Sequence, residues 1–208
     1  VRELIFSVDD YAPSYELRLP VKDNLSVWLD ASYFSESQPN FSFLSQWPDR
    51  SGGNRHALAS GDERPIYLTI QLNRKSVVRF DGSNHDMRFS GSGQYQSLIA
   101  VVKADVSEGS KRRLFSVDQL LEITYDHQGV TVNETIDWAY DNTTHVYFNG
   151  AQTTTGNEEA YHIIYVESKL PTESLSYRLG GISQKFKGEI AELVVYGDSL
   201  SDEERQRT

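Results

Sequence analysis

Retaining hydrolysis of a glycosidic bond requires two carboxyl groups about 5 Å apart on one surface. The segment Glu122-Ile123-Thr124-Tyr125-Asp126 comes nearest to that pattern. A strand alternates its side chains with period two, so Glu122, Thr124 and Asp126 are expected to share a face. Thr124 stands between the two carboxylates, which are two positions too far apart to be direct neighbours, and no catalytic residue is expected. Glu189 and Glu192 in GEIAE are three apart, which predicts opposite faces of a strand. The five histidines lack His-x-x-x-His or Glu-x-x-His spacing, so a zinc site is not expected. There is no Gly-x-Ser-x-Gly elbow for a hydrolase triad, and Gly91-Ser92-Gly93 lacks the rest of a phosphate loop.

Binding chemistry is better represented. Asp137-Trp138-Ala139-Tyr140-Asp141-Asn142 sets aromatic faces suited to sugar C–H groups beside Asp137 and Asn142, which could fix hydroxyls. Tyr125 and His127 would line the same surface if their strand is adjacent. The other reading makes Trp138 and Tyr140 same-face core residues of one strand, and both stay open. Asp81-Gly82-Ser83-Asn84-His85-Asp86 gathers hard oxygen donors of the kind calcium takes, six to eight at a time. Asp49, from Trp47-Pro48-Asp49-Arg50-Ser51-Gly52, would join Asp81 and Asp86 as a calcium ligand if the two loops share a rim. Against this, an Asp in such a turn caps its own backbone, with Trp47 packing beneath; the run also lacks the spacing and terminal Glu of an EF-hand.

The elements that must carry these residues read as strands. Val77–Phe80, Ser97–Lys103, Val130–Val132, His145–Phe148, Tyr161–Val166 and Glu189–Tyr196 are β-rich runs, with turn chemistry between them. Asn149-Gly150 between Tyr147-Phe148 and Ala151-Gln152 predicts a two-residue hairpin turn. One helix start is evident, the capping box Ser201-Asp202-Glu203-Glu204; with the sequence stopping at Thr208, that helix is expected to be very short or truncated. Residues 1–24 read as an arm or edge strand of the same domain and residues 25–208 as its body. The sequence predicts an all-β, two-sheet antiparallel sandwich with a short C-terminal helix.

Composition limits the partners. The 208 residues carry a formal charge of −10, which repels phosphate backbones, so no nucleic acid is expected. The absence of cysteine excludes disulfides, thiolate metal sites and a Cys nucleophile. No stretch is long and apolar enough for a membrane helix, and no signal peptide opens the sequence, so an exported protein would contain this chain as a mature piece. Four Asn-x-Ser/Thr triplets, at Asn24, Asn40, Asn133 and Asn142, match a pattern that occurs often by chance.

Several segments carry a resemblance in order: LSVWLDAS at 25–32, QWPDRSGGNRHA at 46–57, VVRFDGSNHDMRF at 77–89, the strand LIAVVK, the hairpin VYFNG, Arg178-Leu179-Gly180-Gly181, and FKGEIAELVVYGDSLSDEERQR at 186–207. Together they resemble the laminin-G-like (LamG) subgroup of the concanavalin A-like lectin/glucanase superfamily. Residues 104–145 depart from that pattern. The resemblance implies a curved jelly roll with loops gathered at its rims. Retaining glucanases of that superfamily carry Glu-x-Asp-x-Glu on one strand, where this sequence has Thr124 and Asp126 in place of the last two. The expected function is a non-catalytic carbohydrate-binding or adhesion module of a larger secreted or surface protein, with a glycan or glycoprotein partner, extracellular, with calcium as the one possible cofactor. A spacer without a ligand, and a glycan hydrolase or lyase, are the alternatives on this fold.

Overall fold

Burial alternates along the strands, and it sorts the chain into two layers. The computed structural model describes residues 19, 21–34, 38–105, 112–117, 121–126, 129–134, 145–152, 160–174, 176–181 and 183–207. Among them, nine strands form the larger sheet: β1 (Leu25–Asp30), β2 (Ser42–Phe43), β5 (Ile66–Leu72), β6 (Lys75–Asp81), β8 (Gly93–Ala104), β12 (His145–Phe148), β13 (Ala151–Gln152), β14 (His162–Ser174) and β16 (Lys187–Tyr196). Seven form the smaller: β3 (Gln46–Trp47), β4 (Ala57–Leu58), β7 (Met87–Phe89), β9 (Arg112–Val117), β10 (Leu121–Asp126), β11 (Gly129–Glu134) and β15 (Tyr177–Leu179). The strand pairings between them are antiparallel, and the architecture is the predicted jelly-roll sandwich.

The large sheet runs β13-β12-β14-β8-β16-β6-β5-β2. β16 is long enough to hold two partners on one edge. β6 pairs with Lys187–Ile190 and β1 with Glu192–Tyr196, so β1 and β6 meet end to end beside it. The inner faces supply the core: Val78, Phe80, Leu98, Ala100, Val102, Ile164, Val166, Ile190, Leu193 and Val195 from one sheet meet Phe89, Phe115, Ile123, Tyr177 and Leu179 from the other. Edge-on ring packing, such as Phe89 against Tyr177 with centroids 5.6 Å apart, adds specificity to the buried area.

Turn chemistry sets the registers. Asn149 (φ 48°) and Gly150 (φ 82°) close the predicted hairpin with Phe148 opposite Ala151. Asn73 (φ 47°) and Arg74 (φ 66°) do the same between β5 and β6 without a glycine, which the sequence reading did not anticipate. At the far end Ser201 and Glu204 form the capping box. The Ser201 amide donates to Glu204 Oε2 at 2.9 Å, the Glu204 amide donates to Ser201 Oγ at 3.3 Å, and α1 (Asp202–Arg207) follows.

The large sheet's outer face is half covered. Leu19, Val21 and Leu200 pack on Trp28, Ile99, Tyr165, Val194 and Tyr196, and the Arg205 guanidinium lies 4.0 Å from the centre of the Tyr147 ring. The other half, toward Lys187 and Asp81, has no such cover among the described residues. Gly188 there has φ 150°, and a Cβ on it would stand 2.2 Å from the Lys103 carbonyl oxygen. Gly188→Ala is therefore expected to destabilise by roughly 2 kcal/mol or more. Gly150→Ala, where only the positive φ resists, should lose about 1–2 kcal/mol. Denaturant unfolding with unchanged m-values would check the order.

Candidate functional site

The open half of that face is organised by one extra residue. Along β16, Ile190 pairs with Val102 and Glu192 with the next residue, Val101, so Ala191 is a bulge. Ile190 and Leu193 both enter the core, while Ala191 joins Leu68 and Val77 in an outer cluster and Glu192 meets the Trp28 indole. The prediction that Glu189 and Glu192 lie on opposite faces is thereby corrected: the bulge interrupts the period, and both glutamates face outward. The signal was present in the sequence. Uninterrupted alternation inward from Val195 and Leu193 buries Glu189, and alternation inward from Ile190 buries Glu192; only an inserted residue keeps both out.

Four polar side chains then form a row across the sheet. Glu189 is the register partner of Arg79 on β6 and of Lys103 on β8, and Tyr161, just before β14, stands beside Lys103. Arg79 Nε donates to Glu189 Oε1 at 2.9 Å, the Tyr161 hydroxyl donates to Glu189 Oε2, and the Lys103 ammonium sits 6.0 Å from the centre of the Tyr161 ring. Burial and the bond to Glu189 push the Tyr161 pKa up, so it stays a neutral donor. Arg79, Asp81, Lys103, Asp105, Lys187 and Glu189 line a groove of about 470 Å³, with Lys187 paired to Asp105 at 2.7 Å. Ile163, 52% exposed, lies two residues beyond Tyr161, outside the groove lining.

A second hollow, of about 170 Å³, opens where β1 and β6 meet, and Asp30, Ser32, Asn73, Lys75 and Glu192 line it. Asp30 and Glu192 face each other in register, a like-charge pairing that works against stability. Asp30 Oδ2 accepts from Arg50 Nη1 at 2.6 Å and its Oδ1 from the Ser32 amide at 2.8 Å. The Arg50 guanidinium lies 3.9 Å from the Trp28 ring centre and 4.3 Å from that of Tyr33. Glu192 has its pKa raised by burial, with the Trp28 Nε1 hydrogen bond at 2.8 Å opposing and the Asp30 charge adding.

The residues singled out from sequence fall elsewhere. Asp49 closes its own turn: Oδ1 accepts from the Trp28 and Ser51 amides at 2.9 Å each, and Oδ2 from the Arg55 amide at 2.9 Å and Ser51 Oγ at 2.8 Å. Trp47 is fully buried. Asp81 Oδ1 accepts from the amides of Ser83, Asn84 and His85; burial works to raise its pKa, but these bonds and His85 outweigh it and hold the carboxyl low. Asp86 is buried, which raises its pKa against the pull of Arg178, whose Nη1 donates to Oδ2 at 2.9 Å. Among the described residues no three His, Asp or Glu side chains are placed to share a metal ion. Glu122, Tyr125 and Asp126 lie on β10 in the smaller sheet and are described by their backbone alone. A register shift between the buried Ile123 and Thr124 interrupts the alternation assumed for them. His127, Asp137, Trp138, Tyr140 and Asn142 lie outside the described residues.

No family model matches the chain, and no curated protein matches it. Solved structures do. The chain is similar to a Trypanosoma rangeli sialidase in complex with the inhibitor DANA, with a TM-score of 0.51 and 16% identity over 94% of this chain and 34% of that one. It also matches the same organism's sialidase with 2,3-difluorosialic acid as covalent intermediate, with a TM-score of 0.45 and 16% identity over 89% of this chain and 32% of that one. The chain thus spans about a third of the length of the sialidases it matches. At that identity the likeness is one of fold.

Glu192 offers a direct test of the second hollow. A raised carboxyl pKa means the folded state keeps its proton to higher pH than the unfolded chain, so stability falls as pH rises past the ordinary glutamate value of 4.5. Glu192→Gln keeps the acceptor for Trp28 and removes the ionisation. It should melt above wild type at neutral pH, with the gap closing below roughly pH 4; a gap independent of pH would refute the assignment.

Proposed function

We propose that this chain is a non-catalytic carbohydrate-binding module of a larger secreted or surface protein, of the laminin-G-like kind, and that the open half of the large sheet's outer face is its binding surface. The observation that carries this reading is the groove of about 470 Å³ lined by Arg79, Glu189 and Lys103, whose row Tyr161 extends beyond the lining through its bond to Glu189. Its volume falls in the range of roughly 300–1,000 Å³ usual for small-ligand sites. Arg79 and Glu189 hold each other in fixed geometry, which suits recognition of sugar hydroxyls. Tyr161 and Ile163 offer apolar surface for C–H faces.

Likeness of fold to part of a sialidase supports a carbohydrate-related setting, and the laminin-G-like resemblance supports an extracellular one. Binding is favoured over bond cleavage by the state of the carboxylates. Glu189 is held by Arg79 and Tyr161, Glu192 by Trp28, and Asp30 by Arg50 and the Ser32 amide, whereas hydrolysis needs a free pair about 5 Å apart. Trp138 and Tyr140, with Asp137 and Asn142, are proposed as further ligand contacts, and calcium at the Asp81–Asp86 turn as an accessory ion.

A glycan-array screen, run with calcium and again with EDTA, tests these assignments. Wild type should bind a defined set of glycans, and Tyr161→Ala should weaken them about tenfold, or 1.4 kcal/mol, with its melting behaviour retained. Binding lost in Trp138→Ala but kept in Tyr161→Ala would move the site to the 137–142 segment. Loss in EDTA would assign it to the Asp81 rim. Silence across the array would overturn the proposal.

A further inference from the structure

We infer that the groove selects an acidic sugar, one whose carboxylate is met by the Lys103 ammonium; this rests on the groove being the glycan site. Both oxygens of Glu189 are engaged, one by Arg79 and one by the Tyr161 hydroxyl, although Lys103 is its register partner. Lys187 is paired with Asp105, and Asp81 Oδ1 is taken by three amides of its own turn. Lys103 is left, half-buried on a central strand, with no carboxylate partner among the described residues and only the edge of cation–π range to Tyr161, at 6.0 Å. Its ammonium donors are free to meet a ligand in the groove it lines.

The surroundings reinforce this. The chain holds 30 acidic and 20 basic residues, yet the cations around the 81–84 turn, which begins in the groove wall, rest on neutral oxygens. Arg112 Nη1 reaches the Gly82 carbonyl at 3.4 Å, with its Nε buried and unpartnered, and Lys185 Nζ donates to the Asn84 carbonyl at 2.8 Å. The groove's own lining balances Arg79, Lys103 and Lys187 against Asp81, Asp105 and Glu189, and Arg112 and Lys185 add two cations beside it that have no carboxylate salt bridge among the described residues. A carboxylate at Lys103 would give that ammonium the ion pair it lacks among the described residues, and the Arg79–Glu189 pair beside it would take the neighbouring hydroxyls.

The test is an array of matched glycans, each present as the acidic sugar and as its neutral methyl ester, probed with wild type, Lys103→Gln, Lys103→Arg and Tyr161→Ala. Wild type should bind the acidic members at least tenfold more tightly than their esters, more weakly as salt is raised. Lys103→Gln should erase that preference, and Lys103→Arg should retain it. Because Lys103 has no ion pair to lose among the described residues, thermal melting should be unchanged in both variants. Equal binding of acid and ester, with Tyr161→Ala still reducing both, would overturn the inference while leaving the groove as the glycan site. An acid preference that survives Lys103→Gln would also overturn it. Binding to neither form would remove the groove reading and this inference with it.

Discussion

The bulge at Ala191 is the constraint on which the outer face depends. Closing the core requires Ile190, Leu193 and Val195 to point inward from the same strand, and strict alternation cannot satisfy all three. One inserted residue does, and the side chains displaced by it are Ala191 and Glu192. The demands of packing inside the sandwich thus determine the chemistry outside it. Glu189 lies in the row with Arg79 and Lys103, and Glu192 is pressed against Trp28 and opposite Asp30, because the core left no other phase available.

A second asymmetry separates the two halves of that face. Leu19, Val21, Leu200 and the Arg205 stack bury the apolar ring cluster around Trp28 and Tyr165. The other half keeps a smaller apolar cluster around Leu68, Val77 and Ala191 beside the paired row of Arg79, Glu189 and Tyr161. Paired ions on a sheet contribute little to folding when exposed, but they hold side chains at defined positions, and a lone cation set among them is conspicuous.

Much of the fold was legible in the sequence. Period-two runs gave the positions of β6, β8, β12 and β16, Asn149-Gly150 gave a hairpin with the expected positive φ at both residues, and Ser201-Glu204 gave a capping box. Each of these rests on residues close together in the chain. The candidate groove was not legible, because it is built by register: Arg79 and Glu189 are 110 positions apart, and nothing local to either predicts their contact. The β5–β6 turn was missed because Arg74 takes a left-handed conformation that usually announces itself with glycine. The Asp49 turn shows the reverse case. Its residue types favoured a cap over a ligand, and hydrogen bonds from Trp28, Ser51 and Arg55 account for both oxygens.

The end-to-end meeting of β1 and β6 beside β16 has a consequence for how this surface could diversify. At that seam the ladder of backbone bonds passes from one strand to another, and the side chains around the small hollow, Ser32, Asn73 and Lys75, stand on the short turn after β1 and at the hairpin between β5 and β6. Asn73 and Lys75 are exposed, Ser32 is partly so, and none belongs to the buried cluster between the sheets. Substitution at Ser32 or Lys75 changes what the hollow presents without touching the buried cluster, whereas Asn73 also holds the left-handed turn between β5 and β6. The seam therefore sets surface positions apart from the residues that fill the space between the sheets.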